Sequence, residues 1–264
     1  MPVSEPVNQL EAIMREAGAV ARHTASGDFK RWTKGEDNSP VSDADIAVDN
    51  FLRARLRALA PAAGWLSEET EDRPGERTQP SVWIVDPIDG TRAFLSGRAD
   101  WTVSVALVEN GRPQLAALYA PVTDEMFVAA RGKGATLNGA PIHVSAGDRL
   151  SGARIAGPKR YLDRLDSLDT GIEGRPKIHS LALRLARVAQ GELDAGLASS
   201  GSHDWDLAAA ELIVTEAGGV VTDFAGQALQ FNRPHTVHNA LIAAGPQRHR
   251  ALIGLVHAGK AEFA

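Results

Sequence analysis

Trp83-Ile84-Val85-Asp86-Pro87-Ile88-Asp89-Gly90-Thr91 is an apolar run that meets two carboxylates three residues apart and then a glycine. Trp83, Ile84 and Val85 suit a buried strand, and Pro87 biases Asp86 toward extended geometry, so Asp86 is expected at a strand end. Pro87 and Gly90 shape a tight turn in which Asp86 and Asp89 can face one cation, with the carbonyl of Ile88 available between them. Gly90 also removes a side chain where the N–H groups of Gly90 and Thr91 would approach an anion, and a following helix would aim its N-terminus there. One reading is a metal site abutting a phosphate site. The other is a capped strand-to-helix turn with no ligand.

Toward the N-terminus, Leu10, Ile13, Met14, Ala17, Val20 and Ala21 share one helical stripe, opened by Ser4 and Pro6. A polar stretch from Lys34 to Pro40 leads to a second stripe, Val48, Phe51, Leu52, Leu56 and Leu59, closed by Pro61. Ser42 or Asp43 is the expected cap, and Asp45 lies in the first turn. Toward the C-terminus, Thr102 to Val108 alternates toward Asn110-Gly111, and Met126 to Ala130 leads toward Asn138-Gly139, both hairpin-turn dipeptides. Residues 1–150 therefore read as an α+β half, two helices and an antiparallel sheet. From Arg154 short strand-like runs alternate with helices, Leu181 to Gln190 ended by Gly191 and Leu207 to Ala217 ended by Gly218-Gly219. Residues 151–264 thus read as an α/β half. Gly132-Lys133-Gly134 lacks the spacing of a phosphate loop and reads as a turn.

The 264 residues are 44% hydrophobic and 23% charged, which suits one large or two modest domains on a continuous core. A net charge of −5 with both signs interspersed offers no basic stripe, so duplex nucleic acid is not the expected partner. The absence of cysteine excludes disulfides, zinc-thiolate sites and a thiol nucleophile. No apolar run approaches the roughly 20 residues of a spanning helix, and Met1 to Leu10 lacks the pattern of a leader. A cytoplasmic protein without membrane association is the expectation.

Two further acidic elements stand out. Ser67-Glu68-Glu69-Thr70 follows Trp65-Leu66, where an adjacent pair of glutamates can equally be solvated charge. His203-Asp204-Trp205-Asp206 precedes the helix from Leu207, where Asp206 can equally serve as a plain N-cap. In this order, the segments resemble the inositol monophosphatase superfamily of Mg²⁺-dependent, Li⁺-sensitive phosphatases. The resemblance is carried by Trp83 to Thr91 and by Trp205-Asp206-Leu207-Ala208-Ala209 through Glu216-Ala217-Gly218-Gly219, and it extends from the first helix to about Ala244.

That resemblance implies a layered αβαβα sandwich with the site where the two halves meet, and two or three Mg²⁺ ions per site. It implies Glu68, Asp86 and the Ile88 carbonyl as ligands of one Mg²⁺, and Asp86, Asp89 and Asp206 as ligands of a second. It makes Asp45 and Thr91 the pair that orients and activates the attacking water, with Glu69 beside them as a catalytic group, and places Gly90, Thr91, Asp206, His179 and Ser180 at the substrate. Four clustered carboxylates repel one another unless cations occupy the cluster, which agrees with that assignment.

Two departures bear on the substrate, a small phosphate monoester. His179-Ser180 stands where a Gly-Ser pair is common, and Ala198-Ser199-Ser200-Gly201-Ser202-His203 contains no acidic residue to hold sugar hydroxyls. The second resembles the branch acting on 3′(2′),5′-bisphosphate nucleotides, with Arg233 or Arg184 as candidates for a second phosphate. Inositol-1-phosphate phosphatase and then histidinol phosphatase are the alternatives, and a regulatory, partner-binding protein of the same fold is the non-enzymatic one. A homodimer is left open.

Overall fold

The computed structural model describes residues 4–26, 29–34, 39–73, 75 and 77–258. The two amphipathic stripes form α1 (Ser4–Ala25) and α2 (Asp43–Leu59), packed against each other. Between them β1 (Arg31–Lys34) and β2 (Ser39–Ser42) pair antiparallel. The polar composition of Lys34 to Pro40 concealed this hairpin, and the part of that stretch at 35–38 lies outside the described residues.

A seven-stranded sheet follows in simple order: β3 (Gly64–Ser67), β4 (Ser81–Asp89), β5 (Thr102–Glu109), β6 (Arg112–Ala120), β7 (Glu125–Ala130), β8 (Ala135–Leu137) and β9 (Ala140–Ile142). Only the β3–β4 pair is parallel. Both hairpin dipeptides adopt positive φ at both positions, Asn110 at 49° with Gly111 at 76° and Asn138 at 49° with Gly139 at 79°. That geometry matches the strand twist and explains why Asn-Gly was informative there. A five-residue helix, α3 (Thr91–Leu95), links β4 to β5.

The second sheet takes its strands from β10 (Arg154–Ala156), β11 (Glu173–Gly174), β12 (Ala195–Ala198), β14 (Val220–Asp223) and β16 (Leu241–Ala244), in the order β11-β10-β12-β16-β14. The first three are parallel and the last two run antiparallel to their neighbours. β13 (Ser202–His203) and β15 (Val237–His238) form a separate short ribbon. The helices of this half are α4 (Lys159–Ser167), α5 (Leu181–Ala189), α6 (Asp204–Glu216) and α7 (Pro246–His257).

Period-two alternation along β4 sorts these parts into layers. Trp83 and Val85 pack with Leu10, Met14, Val48 and Leu52 of α1 and α2. Val82 and Ile84 point the other way, into a core with Leu185 of α5, Leu212 of α6 and Leu241 of the second sheet. The far face of that sheet packs Ile155, Leu197 and Ile242 against Tyr161 and Leu165 of α4 and Leu252 of α7. The result is an αβαβα sandwich in which α5 and α6 are the central layer.

Two local expectations are corrected. β4 does not stop at Asp86 but runs to Asp89 through a register shift against β5. Pro87 has no N–H to give to β5, and a bulge is where a sheet tolerates that loss. The second correction concerns α6, which starts at Asp204 with His203 as its N-cap, three residues earlier than Leu207. Asp206 is therefore an N3 residue and not the cap.

Candidate metal and phosphate site

The β4 bulge sets the first two carboxylates. Asp86 pairs in register with Ser104 and Asp89 with Thr102, and between them the chain turns so that Asp86 Oδ1 accepts the Ile88 N–H at 3.0 Å. The Asp89 carboxylate meets the N-terminus of α5, accepting from Ser180 Oγ at 2.6 Å, from the Ala182 N–H at 2.7 Å and from the Leu181 N–H at 3.2 Å. A carboxylate there satisfies helix N–H groups that have no partner within the helix. Asp206 comes from α6, where its Oδ2 accepts the His203 N–H at 2.6 Å. One oxygen from each of Asp86, Asp89 and Asp206 lies within 4.8 Å of the others. Glu68, just after β3, lines the same cleft of about 250 Å³, together with Ile88, Gly90, Thr91 and His179.

Burial in like company raises these groups. Asp86 is pushed well above the usual carboxylate range by burial and then by Glu68, Asp89 and Asp206. Asp206 is raised well above it by burial and by Asp89. Burial also raises Asp89, against the opposing hydrogen bonds of Ser180, Ala182 and Leu181, and raises Glu68 against the attraction of Lys34. Such a cluster holds protons unless a cation takes their place. The Glu68, Asp86, Asp89 and Asp206 carboxylates and the Ile88 carbonyl offer oxygen only, the donor set of a hard divalent ion such as Mg²⁺.

Lys34 is a member of this neighbourhood that the sequence did not reveal. Its Nζ lies 2.6 Å from Glu69 Oε1 and 3.3 Å from Glu68 Oε1, and it donates to the Glu68 carbonyl at 3.0 Å. Glu69 accordingly turns to Lys34 and is absent from the cleft lining, so the adjacent glutamates diverge. No motif marks Lys34, which reaches the site only because β1 folds over it.

Asp45 and Thr91 are brought together as expected. Asp45 Oδ2 accepts from the Ser42 N–H at 2.8 Å and from Ser42 Oγ at 2.6 Å, which completes the start of α2, while Oδ1 lies 3.4 Å from Thr91 Oγ1. Burial lifts Asp45 to about 6, with Ser42 opposing and Glu69 adding to the rise. Thr91 Oγ1 also donates to the Ile88 carbonyl at 3.0 Å. Gly90 has φ of +92°, and a Cβ there would stand 3.0 Å from the Ser180 nitrogen and 3.2 Å from the Asp100 carbonyl oxygen. The turn therefore requires glycine. The expected helix beyond it is only the single short turn of α3, so its dipole field is small.

His179 lines the cleft, whereas Ser180, expected at the substrate, faces inward. The Ser180 hydroxyl donates to Asp89, accepts the Leu183 N–H at 2.9 Å as the N-cap of α5 and lies 3.0 Å from Thr102 Oγ1. Fully engaged and buried, it orients Asp89. Arg184 is buried too, its guanidinium donating to the carbonyls of Leu197 at 2.9 Å and Ile178 at 2.8 Å. Arg233 lines a separate cavity with Asp223, Gln227 and His235. Arg233 thus lies away from the cleft, and Arg184 has both terminal nitrogens on backbone carbonyls, with only its buried Nε unpaired.

A cluster of oxygen donors at the junction of helix ends and a bulged strand, with a buried carboxylate and a hydroxyl at its edge, is built for metal-assisted hydrolysis of a phosphate ester. Fold and site together define a metal-dependent phosphomonoesterase. The chain belongs to the inositol monophosphatase family, whose model matches residues 4–261. It is 30% identical over 249 residues to Nus factor SuhB of Escherichia coli strain K12, covering 90% of this chain and 91% of that one. It is 39% identical over 198 residues to inositol monophosphatase of Dictyostelium discoideum, covering 70% and 72%. The crystal structure of extragenic suppressor protein suhB from Bartonella henselae superposes with a TM-score of 0.84 at 31% identity, covering 96% of this chain and 98% of that one. The chain is thus a phosphatase of a family that uses Mg²⁺. Among the described residues no helix is long and apolar enough to cross a membrane.

Proposed function

We propose that this phosphatase acts on 3′(2′),5′-bisphosphate nucleotides, adenosine 3′,5′-bisphosphate foremost. The observation that carries the reading is a second cavity of about 960 Å³ opening beside the metal cleft, walled by Ala198, Ser199, Ser200, Gly201 and Ser202. Among the described residues its only carboxylates are Asp89 and Asp206, which belong to the metal cluster. A polyol substrate would lack an acidic acceptor there outside the metal cluster, while the uncharged side formed by Ala198 to Ser202 and this volume suit a nucleoside. A cytoplasmic location goes with a freely diffusing nucleotide.

In this reading Glu68, Asp86 and the Ile88 carbonyl hold one Mg²⁺, and Asp86, Asp89 and Asp206 hold another. When bound, the metal supplies positive charge for the phosphate oxygens and lowers the pKa of coordinated water. Asp45 accepts the proton of the attacking water, and Thr91, beside it, orients that water. A carboxylate lifted to about 6 is a stronger base than an ordinary one and still ionised at neutral pH. Ser180 keeps Asp89 in place, Gly90 leaves room for the phosphate, and Glu69 acts through Lys34 on the position of Glu68.

The test is kcat/KM for adenosine 3′,5′-bisphosphate, inositol 1-phosphate and histidinol phosphate at equal Mg²⁺ and pH. The bisphosphate is expected to lead. A tenfold preference for inositol 1-phosphate, about 1.4 kcal/mol of transition-state binding, would overturn the reading in favour of an inositol-1-phosphate phosphatase. The relatives named Nus factor SuhB favour a second reading, in which the chain also serves by binding a macromolecular partner. The complete carboxylate set speaks against a purely non-catalytic role, and Mg²⁺-dependent turnover by the purified protein separates the two.

A further inference from the structure

Five residues line both the metal cleft and the wider cavity: Asp89, Asp206, Arg92, Lys177 and His179. The two aspartates belong to the carboxylate cluster. The other three form a basic boundary drawn from two separate elements, Arg92 from α3 and Lys177 with His179 from the segment entering α5. Among the described residues neither Arg92 nor Lys177 has an acidic partner within ion-pair distance. The remaining cations of the wider cavity are already committed. Lys159 Nζ lies 2.6 Å from Asp163, Arg175 lies 3.8 Å from Glu173, and Arg184 gives both terminal nitrogens to backbone carbonyls and is buried.

His179 is held for a purpose its own packing does not explain. Its backbone N–H and its Nδ1 both meet Asp100 Oδ2, at 2.9 and 2.7 Å, and Arg98 Nε holds the other oxygen of Asp100 at 2.8 Å. Burial pushes Asp100 up, but the hydrogen bonds of Arg98 and His179 outweigh it and bring it down to about 2. An ionised carboxylate only accepts, so Nδ1 is the donor and the ring plane is fixed. Among the described residues Nε2 has no partner, and the ring borders both cavities.

We propose that Arg92, Lys177 and the Asp100-held His179 form a subsite for a second anionic group on the substrate, a second phosphate above all. The inference deepens the nucleotidase reading and rests on it in its choice of first substrate, but it concerns the number of phosphates and not the scaffold that carries them. Cations beside a carboxylate cluster have no net attraction to offer while the cluster is charged; with the cluster neutralised by its metal ions, they are available to the ligand. The arginine fork and the lysine point charge then converge on one anion beside the scissile phosphate, as paired donors do in phosphate recognition.

The experiment compares a doubly with a singly phosphorylated substrate on each of two scaffolds: adenosine 3′,5′-bisphosphate with adenosine 3′-monophosphate, and inositol 1,4-bisphosphate with inositol 1-phosphate. In the wild type the second phosphate is expected to raise kcat/KM on at least one scaffold. Arg92→Gln with Lys177→Gln should cut that bisphosphate-to-monophosphate ratio by about tenfold or more, chiefly through KM. Both side chains are exposed, so the double variant should fold as the wild type does. Asp100→Asn should lower the ratio in parallel with His179→Gln, as a positioning residue would. Equal losses on both members of each pair would overturn the subsite. Should adenosine 3′,5′-bisphosphate be turned over well with the ratio unmoved by the double variant, the subsite falls and the nucleotidase reading stands. Should only the inositol pair be hydrolysed and show the drop, the nucleotidase reading falls and the subsite stands.

Discussion

Asp86 is surrounded by like charge and among the described residues takes a single hydrogen bond, from the Ile88 N–H, that an asparagine oxygen could accept equally well. Asp86→Asn should therefore leave the metal-free protein as stable as the wild type or slightly more so. Turnover should fall by about 10³-fold or more, the scale of the several kcal/mol a metal ion supplies to charge stabilisation. Circular dichroism melts and turnover measured together check this; wild-type turnover at low Mg²⁺ would contradict the ligand assignment. Asp45 carries two duties that separate by substitution. Asp45→Asn keeps an acceptor for the Ser42 N–H but loses the base, so kcat should fall about 10²–10⁴-fold at unchanged melting temperature. Asp45→Ala should lose in addition about 1 kcal/mol of stability, the usual worth of a helix-start hydrogen bond. Thr91→Ala should likewise lower kcat more than it raises KM, and a change confined to KM would remove it from the water-orienting role.

Between elements, the turn at Gly90 brings the end of β4 close against the segment entering α5. Gly90→Ala forces a Cβ to within 3.0 Å of the Ser180 nitrogen at a backbone φ of +92°. A cost of about 1–3 kcal/mol is expected in urea unfolding, with weakened Mg²⁺ binding because Ser180 and the start of α5 hold Asp89. A second junction ties α6 to the seven-stranded sheet. Glu216, at the end of α6, accepts three successive N–H groups, from Gly132 at 2.8 Å, Lys133 at 3.0 Å and Gly134 at 2.8 Å. The turn is thus an anion-holding nest whose anion is a side chain of the protein itself. A carboxylate at a helix C-terminus opposes the helix dipole, and these donors offset that. Glu216→Ala should cost about 1–2 kcal/mol in the same unfolding assay without altering KM, since it lies outside the cleft. An effect on KM alone would refute the structural role.

Across the whole molecule, the buried carboxylates set a pH dependence opposite to that of ordinary salt-bridged ones. Asp45, with an ordinary value of 3.8, is lifted to about 6, so between those values the native state holds a proton that the unfolded chain has released. Stability of the metal-free protein therefore falls as pH rises through that window, and Asp86 and Asp206, also raised by burial and like charge, contribute in the same direction. Asp100 and Asp194, brought down to about 2, contribute stability that is lost as pH drops below about 4. In the presence of a chelator the melting temperature should be higher at pH 5 than at pH 7.5. Saturating Mg²⁺ should raise it more at pH 7.5, by the amount that roughly 2.7 kcal/mol represents at a hundredfold excess over Kd. Equal stabilisation by Mg²⁺ at both pH values would mean that the metal does not displace protons from this cluster.

The sequence by itself determined what local rules govern: the two N-terminal helices from their stripes, both Asn-Gly hairpins from their demand for positive φ, and the Asp86-to-Thr91 turn from its proline and glycine. It also marked Asp86 and Asp89 as candidate metal ligands, because few patterns place two carboxylates and a glycine at a strand's end. Only the tertiary structure decided which partners those carboxylates meet. Asp206 and Asp86 are 120 residues apart and share a cleft because α6 packs against β4. Lys34 reaches Glu68 and Glu69 across the β1–β2 hairpin, Asp100 fixes His179, and Ser180 turns inward to Asp89 instead of out to a substrate. The physical reason is range: backbone preference acts over a few residues and can be read along the chain, whereas charge, burial and hydrogen bonding act between whichever surfaces the packed layers bring within a few ångströms.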